Sequence, residues 1–68
     1  MERPDEMVTE GVKVSTRLGR LPTFTEYGRY RKELKLKYSE WQIYREFGGN
    51  KGSWTAFQYL LMEKIAAD

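Results

Sequence analysis

The chain contains neither cysteine nor histidine, and it is only 68 residues long. A domain of this size hides about 60% of the surface that its unfolded chain exposes, so small domains often depend on disulfides or bound metal ions. Disulfides and zinc sites built on Cys or His are excluded by this composition. Two Trp, five Tyr and three Phe supply large apolar area instead. We therefore predict one domain, residues 1–68, that is held together by side-chain packing alone.

Two pairs of residues have the spacing of a capping box, in which a hydroxyl and a carboxylate or amide satisfy unpaired amides at a helix start: Thr23 with Glu26, and Ser39 with Gln42. Apolar residues follow each box at intervals of three and four. This pattern predicts helices near 24–34 and 40–47, separated by a short turn. The consecutive glycines Gly48 and Gly49 are expected to end the second of these helices.

Two further helices are predicted near 5–18 and 54–66, after a flexible terminus at 1–4. Apolar residues share one face of the first, although Gly11 and Val14 depart from that spacing. Ser53 is expected to cap the last helix. The sequence thus predicts an all-α fold, a compact bundle of about four short helices that contains a helix-turn-helix pair.

Catalysis is not expected from this composition. Without His or Cys, a catalytic triad or a transition-metal site would depend on carboxylates, Lys, Ser, Thr or Tyr. Glu26 has a predicted capping role, and three other carboxylates are predicted to be solvated surface: Glu33, Glu40 and Glu63. We predict no enzyme activity, metal ligand, cofactor or small-molecule substrate.

The chain has no apolar run of the roughly 20 residues that a membrane-spanning helix needs. Its acidic start, with Glu2, Asp5 and Glu6, also differs from the basic opening of a signal peptide. We therefore expect a cytoplasmic protein that has no membrane partner.

Charge is distributed unevenly, although the net charge is only +2. Residues 1–10 hold four acids and one base, whereas residues 13–51 hold ten bases and four acids. Five cations cluster at the end of the second helix and in the following turn: Arg29, Arg31, Lys32, Lys35 and Lys37. We predict that they contact DNA phosphates while the third helix enters a major groove. The alternative is the solvated helix surface that is common in soluble proteins.

Three residues of the third helix are predicted to face outward and to reach base edges: Gln42, Arg45 and Glu46. Gln suits adenine, Arg suits guanine and Glu suits cytosine. Glu40 and Glu46 also oppose a polyanion, so they indicate either selectivity among DNA sequences or contact with a protein.

The glycine-rich segment 48–52 fits neither a Walker loop nor a dinucleotide-binding fingerprint, and no strand precedes it. We predict a flexible connection between helices in which Lys51 adds a phosphate contact.

Several segments together resemble the homing endonuclease-associated repeat: Leu18-Gly19-Arg20-Leu21-Pro22-Thr23, Glu26-Tyr27, Ile43, Phe47-Gly48 and Gly52-Ser53-Trp54. That repeat is a small helical DNA-binding module with a Leu-Gly-Arg-x-Pro-Thr entry to its second helix and a Phe-Gly-Ser-Trp junction into its last. The resemblance covers nearly the whole chain, but an insertion splits the junction here. It implies a free-standing binding domain without nuclease chemistry.

These observations predict a small helix-turn-helix-like protein that binds duplex DNA, a regulator or accessory factor of the kind used by phages, mobile elements or bacterial regulatory systems. One such module covers roughly 600–1,000 Å² of protein surface on DNA, so tight specific binding is expected to need a homodimer or a protein partner.

The alternative is a protein-interaction module, such as a phage-encoded inhibitor or adaptor of a host enzyme. This alternative requires exposed aromatic side chains at four positions: Tyr38, Trp41, Tyr44 and Tyr59. The spacing of Trp41 to Tyr44 instead favours a core position for Trp41.

Overall fold

The computed structural model describes the backbone of residues 2–67 and the side chains of residues 4–67. It contains four helices: α1 (Glu2–Leu18), α2 (Phe24–Glu33), α3 (Glu40–Glu46) and α4 (Ser53–Ala67). No strand occurs within this part of the chain. The prediction of an all-α bundle of four short helices is confirmed.

Helix α1 begins earlier than the sequence pattern predicted. Residues 2–4 belong to α1, whereas the predicted helix began near residue 5, and Met1 lies outside the described residues. The flexibility predicted for residues 1–4 stays a prediction. Pro4 stands in the first turn of α1. Proline is tolerated there because the amide that it lacks has no partner inside the helix.

Gly11 and Val14, which depart from the predicted apolar stripe of α1, are both buried. A Cβ atom added to Gly11 would lie 2.5 Å from Leu61 Cδ2 and 2.7 Å from Phe57 Cζ. The absence of a side chain at Gly11 therefore lets α4 pack closely against α1.

The core takes residues from all four helices and from the connection between α2 and α3: Met7, Val14, Tyr27, Leu36, Tyr38, Ile43, Phe57 and Leu61. Tyr27 is fully buried, and its hydroxyl has no hydrogen-bond partner among the described residues. This burial raises the pKa of Tyr27 well above its usual value, because it penalises the charged phenolate.

Both predicted capping boxes are confirmed. The Glu26 amide donates to Thr23 Oγ1 at 3.2 Å, and the Thr23 amide donates to Glu26 Oε1 at 3.0 Å. The Gln42 amide donates to Ser39 Oγ at 3.2 Å, and the Ser39 amide donates to Gln42 Oε1 at 2.8 Å. Four amides at the starts of α2 and α3 are thereby satisfied.

The start of α4 differs from the predicted cap. Ser53 is the first residue of the helix, and its hydroxyl accepts a hydrogen bond from the Asn50 amide at 2.8 Å. The Gly52 carbonyl accepts the Ala56 amide at 2.9 Å, one helical turn later. Ser53 thus holds the preceding loop against the helix instead of capping the helix itself.

Candidate nucleic-acid interface

Two carboxylates of α1, Glu6 and Glu10, hold the connection between α2 and α3, and we call this pair the acidic clamp. Glu10 accepts two successive backbone amides, from Lys37 at 2.7 Å and from Tyr38 at 3.1 Å. Glu6 accepts the Lys37 ammonium at 3.1 Å and the Tyr38 hydroxyl. The clamp fixes the chain immediately before α3 begins.

The acidic clamp also shifts the pKa values of two side-chain groups that it binds. The hydrogen bond to Glu6 raises the pKa of the Lys37 ammonium and also that of the Tyr38 hydroxyl. Lys37 remains exposed, but its charge is partly compensated by Glu6. Sequence reasoning missed this contact, because it separated the acidic N-terminal segment from the basic middle and weighed each alone.

The other predicted phosphate-contacting cations are exposed: Arg29, Arg31, Lys32, Lys35 and Lys51. None of them forms an ion pair within the described part of the chain. Arg17 and Arg20, in contrast, pair with Glu33 and Glu26 respectively. Five exposed charges on α2, the turn and the loop before α4 are therefore available to an anionic partner.

All three predicted base-contacting residues of α3 are exposed, but they are not equally available. The side-chain oxygen of Gln42 already accepts the Ser39 amide in the capping box. A bidentate contact with adenine uses both the oxygen and the nitrogen of the amide, so adenine would have to share the Gln42 oxygen with the Ser39 amide or displace that amide. Arg45 has no ion-pair partner in the described structure, whereas Glu46 is engaged in an interaction.

The predicted core position of Trp41 is wrong, because this residue is 57% exposed. Ile43 is the fully buried residue of α3. Residues two positions apart on a helix point about 200° from each other, so Trp41 faces away from the core side that Ile43 occupies.

Trp41 lies in a cluster of three rings that we call the aromatic patch: Phe24, Trp41 and Tyr44. The Trp41 ring is 4.9 Å from the Phe24 ring, with their planes at 82°. It is 5.8 Å from the Tyr44 ring, with their planes at 70°. Edge-to-face contacts of this kind favour one orientation of the exposed indole.

Trp54 connects the aromatic patch to the core. Its ring lies 5.5 Å from that of Phe24 and 4.9 Å from that of buried Phe57. Its indole nitrogen donates to the Pro22 carbonyl at 3.0 Å, and Gln58 donates to the same oxygen at 2.8 Å. The patch therefore rests on a packed and hydrogen-bonded base.

A second set of exposed apolar residues lies on α4. Tyr59 is 61% exposed, and Met62 and Ile65 are also exposed. Met62 and Ile65 line an open groove of about 520 Å³ together with Leu21. Of the four aromatic residues that the protein-interaction alternative requires, Trp41 and Tyr59 are exposed, Tyr44 is half-buried and Tyr38 is buried.

Comparison of the chain with protein-family models, with curated proteins and with solved structures gives no match. The resemblance to the homing endonuclease-associated repeat stays a prediction. No helix among the described residues is both long enough and apolar enough to cross a membrane. The described carboxylates also form no group of three that would hold a metal ion.

Proposed function

We propose that this chain is a small DNA-binding module, a regulator or accessory factor, that docks through α2, the following turn and α3. One observation carries the proposal: the exposed cations of these elements have no ion-pair partner in the described structure, namely Arg29, Arg31, Lys32, Lys35 and Arg45. Phosphates are the partner that such a set of charges fits, since each contact releases condensed counterions from DNA.

The five cations have two roles in this proposal. Those on α2 and in the turn contact phosphates and set the position of the module, whereas Arg45 on α3 reaches guanine. Glu46 and Glu40 oppose the phosphates and disfavour wrong sequences. Lys51, in the loop before α4, adds a further phosphate contact. Lys37 contributes less to DNA binding than its neighbours, because Glu6 already binds its ammonium.

A fluorescence-anisotropy titration against mixed-sequence duplex DNA at several salt concentrations tests the proposal. We expect the logarithm of the binding constant to fall with the logarithm of salt concentration at a slope of roughly −3 to −5, since each neutralised phosphate contributes about −0.9. The absence of binding at low salt would overturn the proposal.

Two variants separate the assigned roles. Lys35→Ala is expected to weaken binding to all duplexes alike and to reduce the slope by about 1, and Arg45→Ala is expected to change the preferred sequence. Lys64→Ala is the matched control, because Lys64 is also exposed but lies on α4. Equal losses on every sequence for Lys35→Ala and Arg45→Ala would contradict the role of Arg45.

The α4 surface favours a second candidate function, a protein-interaction module. Tyr59, Met62 and Ile65 are large apolar residues left exposed on one helix, and protein interfaces are enriched in such anchors. A pull-down with the chain as bait tests this function, with the double variant Tyr59→Glu and Met62→Glu as control. A partner captured by the wild type and lost by the double variant would support it, and capture by both would contradict it.

A further inference from the structure

The exposure and the ring contacts of Trp41 define a surface that the phosphate and base-edge contacts proposed above do not use. Neither neighbouring ring lies parallel to the indole, since the plane of Phe24 is turned by 82° and that of Tyr44 by 70°. An indole covered on both faces would not remain 57% exposed. One face of Trp41 is therefore accessible to a flat partner.

The charges on α3 and on the row of α2 that faces its start indicate the chemistry of that partner. Arg45 follows Trp41 by four residues, so the two side chains are neighbours on the surface of α3. On α2, Phe24 contacts Trp41, and Gly28 lies against the Glu40 carboxylate, so this row of α2 faces the start of α3. Arg31 and Lys32 follow Gly28 by three and four residues and continue that row.

An anionic ligand with a flat aromatic group matches both the accessible indole face of Trp41 and the exposed cations of α2 and α3. Glu40 and Glu46 are the carboxylates on the same helix as Trp41. They are outnumbered by the exposed cations of α3 and of the facing row of α2: Arg31, Lys32 and Arg45. Proteins that bind single-stranded nucleic acids combine cations that follow the backbone with aromatic side chains on which bases stack. A plain duplex offers no such contact in its interior, because its bases already stack on each other.

We infer that Trp41, held by Phe24 and Tyr44, is a stacking site for an unpaired nucleobase, and that the chain prefers DNA with unpaired bases over continuous duplex. This inference rests on the proposed DNA-binding function and assigns it a substrate class. Because the ring contacts already orient the indole, little side-chain freedom is lost when a base stacks on it.

Titrations with three DNA probes test this inference: a thymidine homo-oligonucleotide, a continuous duplex, and the same duplex with an internal unpaired thymidine loop. The wild type is expected to bind the two probes with unpaired bases more tightly than the duplex. Tryptophan fluorescence is expected to decrease on binding, because a stacked base quenches the indole. Trp41→Ala is expected to lose about tenfold in affinity for the unpaired probes and to keep its duplex affinity.

Two further variants complete the test. Trp41→Phe keeps a ring for stacking and is expected to retain most of the affinity. Tyr59→Ala removes a similarly exposed ring from α4 and is expected to leave the affinity for all three DNA probes unchanged. Duplex binding with no loss in Trp41→Ala on any probe would overturn the stacking site and leave the proposed function standing. Equal losses on paired and unpaired probes would also overturn it, and no binding to any probe would remove the proposed function as well.

Discussion

At the scale of single residues, Lys35 has a backbone conformation that favours glycine and a side-chain charge that the proposed function requires. It adopts a left-handed conformation with φ of 52°, immediately after the C-cap of α2. The next amide, that of Leu36, donates to the Arg31 carbonyl at 3.0 Å and closes the helix end. Glycine is the usual residue at such a position, because a Cβ atom costs free energy in this conformation. A lysine in this conformation is consistent with a functional role for its charge.

We predict that Lys35→Gly stabilises the protein while it weakens DNA binding. Relief of the left-handed conformation is expected to exceed the entropy that glycine adds to the unfolded chain, with a net gain of about 0.5–1 kcal/mol in the free energy of unfolding. Lys35→Ala removes the same charge and keeps the strain. Urea denaturation should therefore give a higher free energy of unfolding for Lys35→Gly than for Lys35→Ala. DNA titrations should give the same affinity for both variants. A Lys35→Gly protein less stable than Lys35→Ala would contradict this reasoning.

The side chains of the candidate site were predictable in type but not in availability. The charge pattern identified the cations of α2, and all of them are exposed. It did not reveal that the side-chain oxygen of Gln42 accepts a hydrogen bond from the Ser39 amide, because a Gln side chain can serve either in capping or in base recognition. The core prediction for Trp41 failed for a related reason: in a helix as short as α3, one buried residue, Ile43, fills the space facing the core.

At the scale of helices, two glycines inside helices offer a matched comparison. A Cβ atom at Gly11 would meet the ends of Leu61 and Phe57, both fully buried. A Cβ atom at Gly28 would meet the Glu40 carboxylate, whose side chain is only half-buried and can move aside. Both substitutions by alanine bring the same gain in helix propensity, about 1 kcal/mol.

We predict opposite outcomes for these two substitutions. Gly11→Ala is expected to destabilise the fold by about 1–2 kcal/mol, because overpacking between α1 and α4 outweighs the gain in propensity. Gly28→Ala is expected to be neutral or to stabilise by up to about 1 kcal/mol. Thermal unfolding monitored by circular dichroism measures both. Stabilisation by both would show that α1 and α4 are packed less closely than described.

Helix starts were better predicted than helix packing. Capping boxes depend on residues three apart in the chain, so Thr23 and Ser39 marked the starts of α2 and α3 correctly. The role of Gly11 depends on α4, which is some fifty residues further along the chain. The apolar spacing of α1 left Gly11 unexplained, whereas contact with Leu61 and Phe57 of α4 makes it a packing position.

At the scale of the whole molecule, the acidic clamp brings the acidic N-terminal segment into contact with the basic middle of the chain. The excess of acids in residues 1–10 and the excess of bases in residues 13–51 meet where Glu6 and Glu10 bind Lys37 and Tyr38. The clamp therefore orders the turn before α3 and also reduces the charge presented there. Net charge and local composition could not predict this, because they do not show which segments fold against each other.

We predict that Glu10→Ala lowers the free energy of unfolding by about 1–3 kcal/mol, because two backbone amides lose a charged acceptor. Glu63→Ala removes a carboxylate that is exposed on α4 and is expected to have little effect. Amide hydrogen exchange locates the change: the Lys37 and Tyr38 amides should exchange faster in Glu10→Ala, while amides inside α4 should change only as far as global stability does. A loss of stability without faster exchange at these two amides would mean that Glu10 acts elsewhere. Unchanged stability together with unchanged exchange would mean that the turn before α3 holds its conformation without α1.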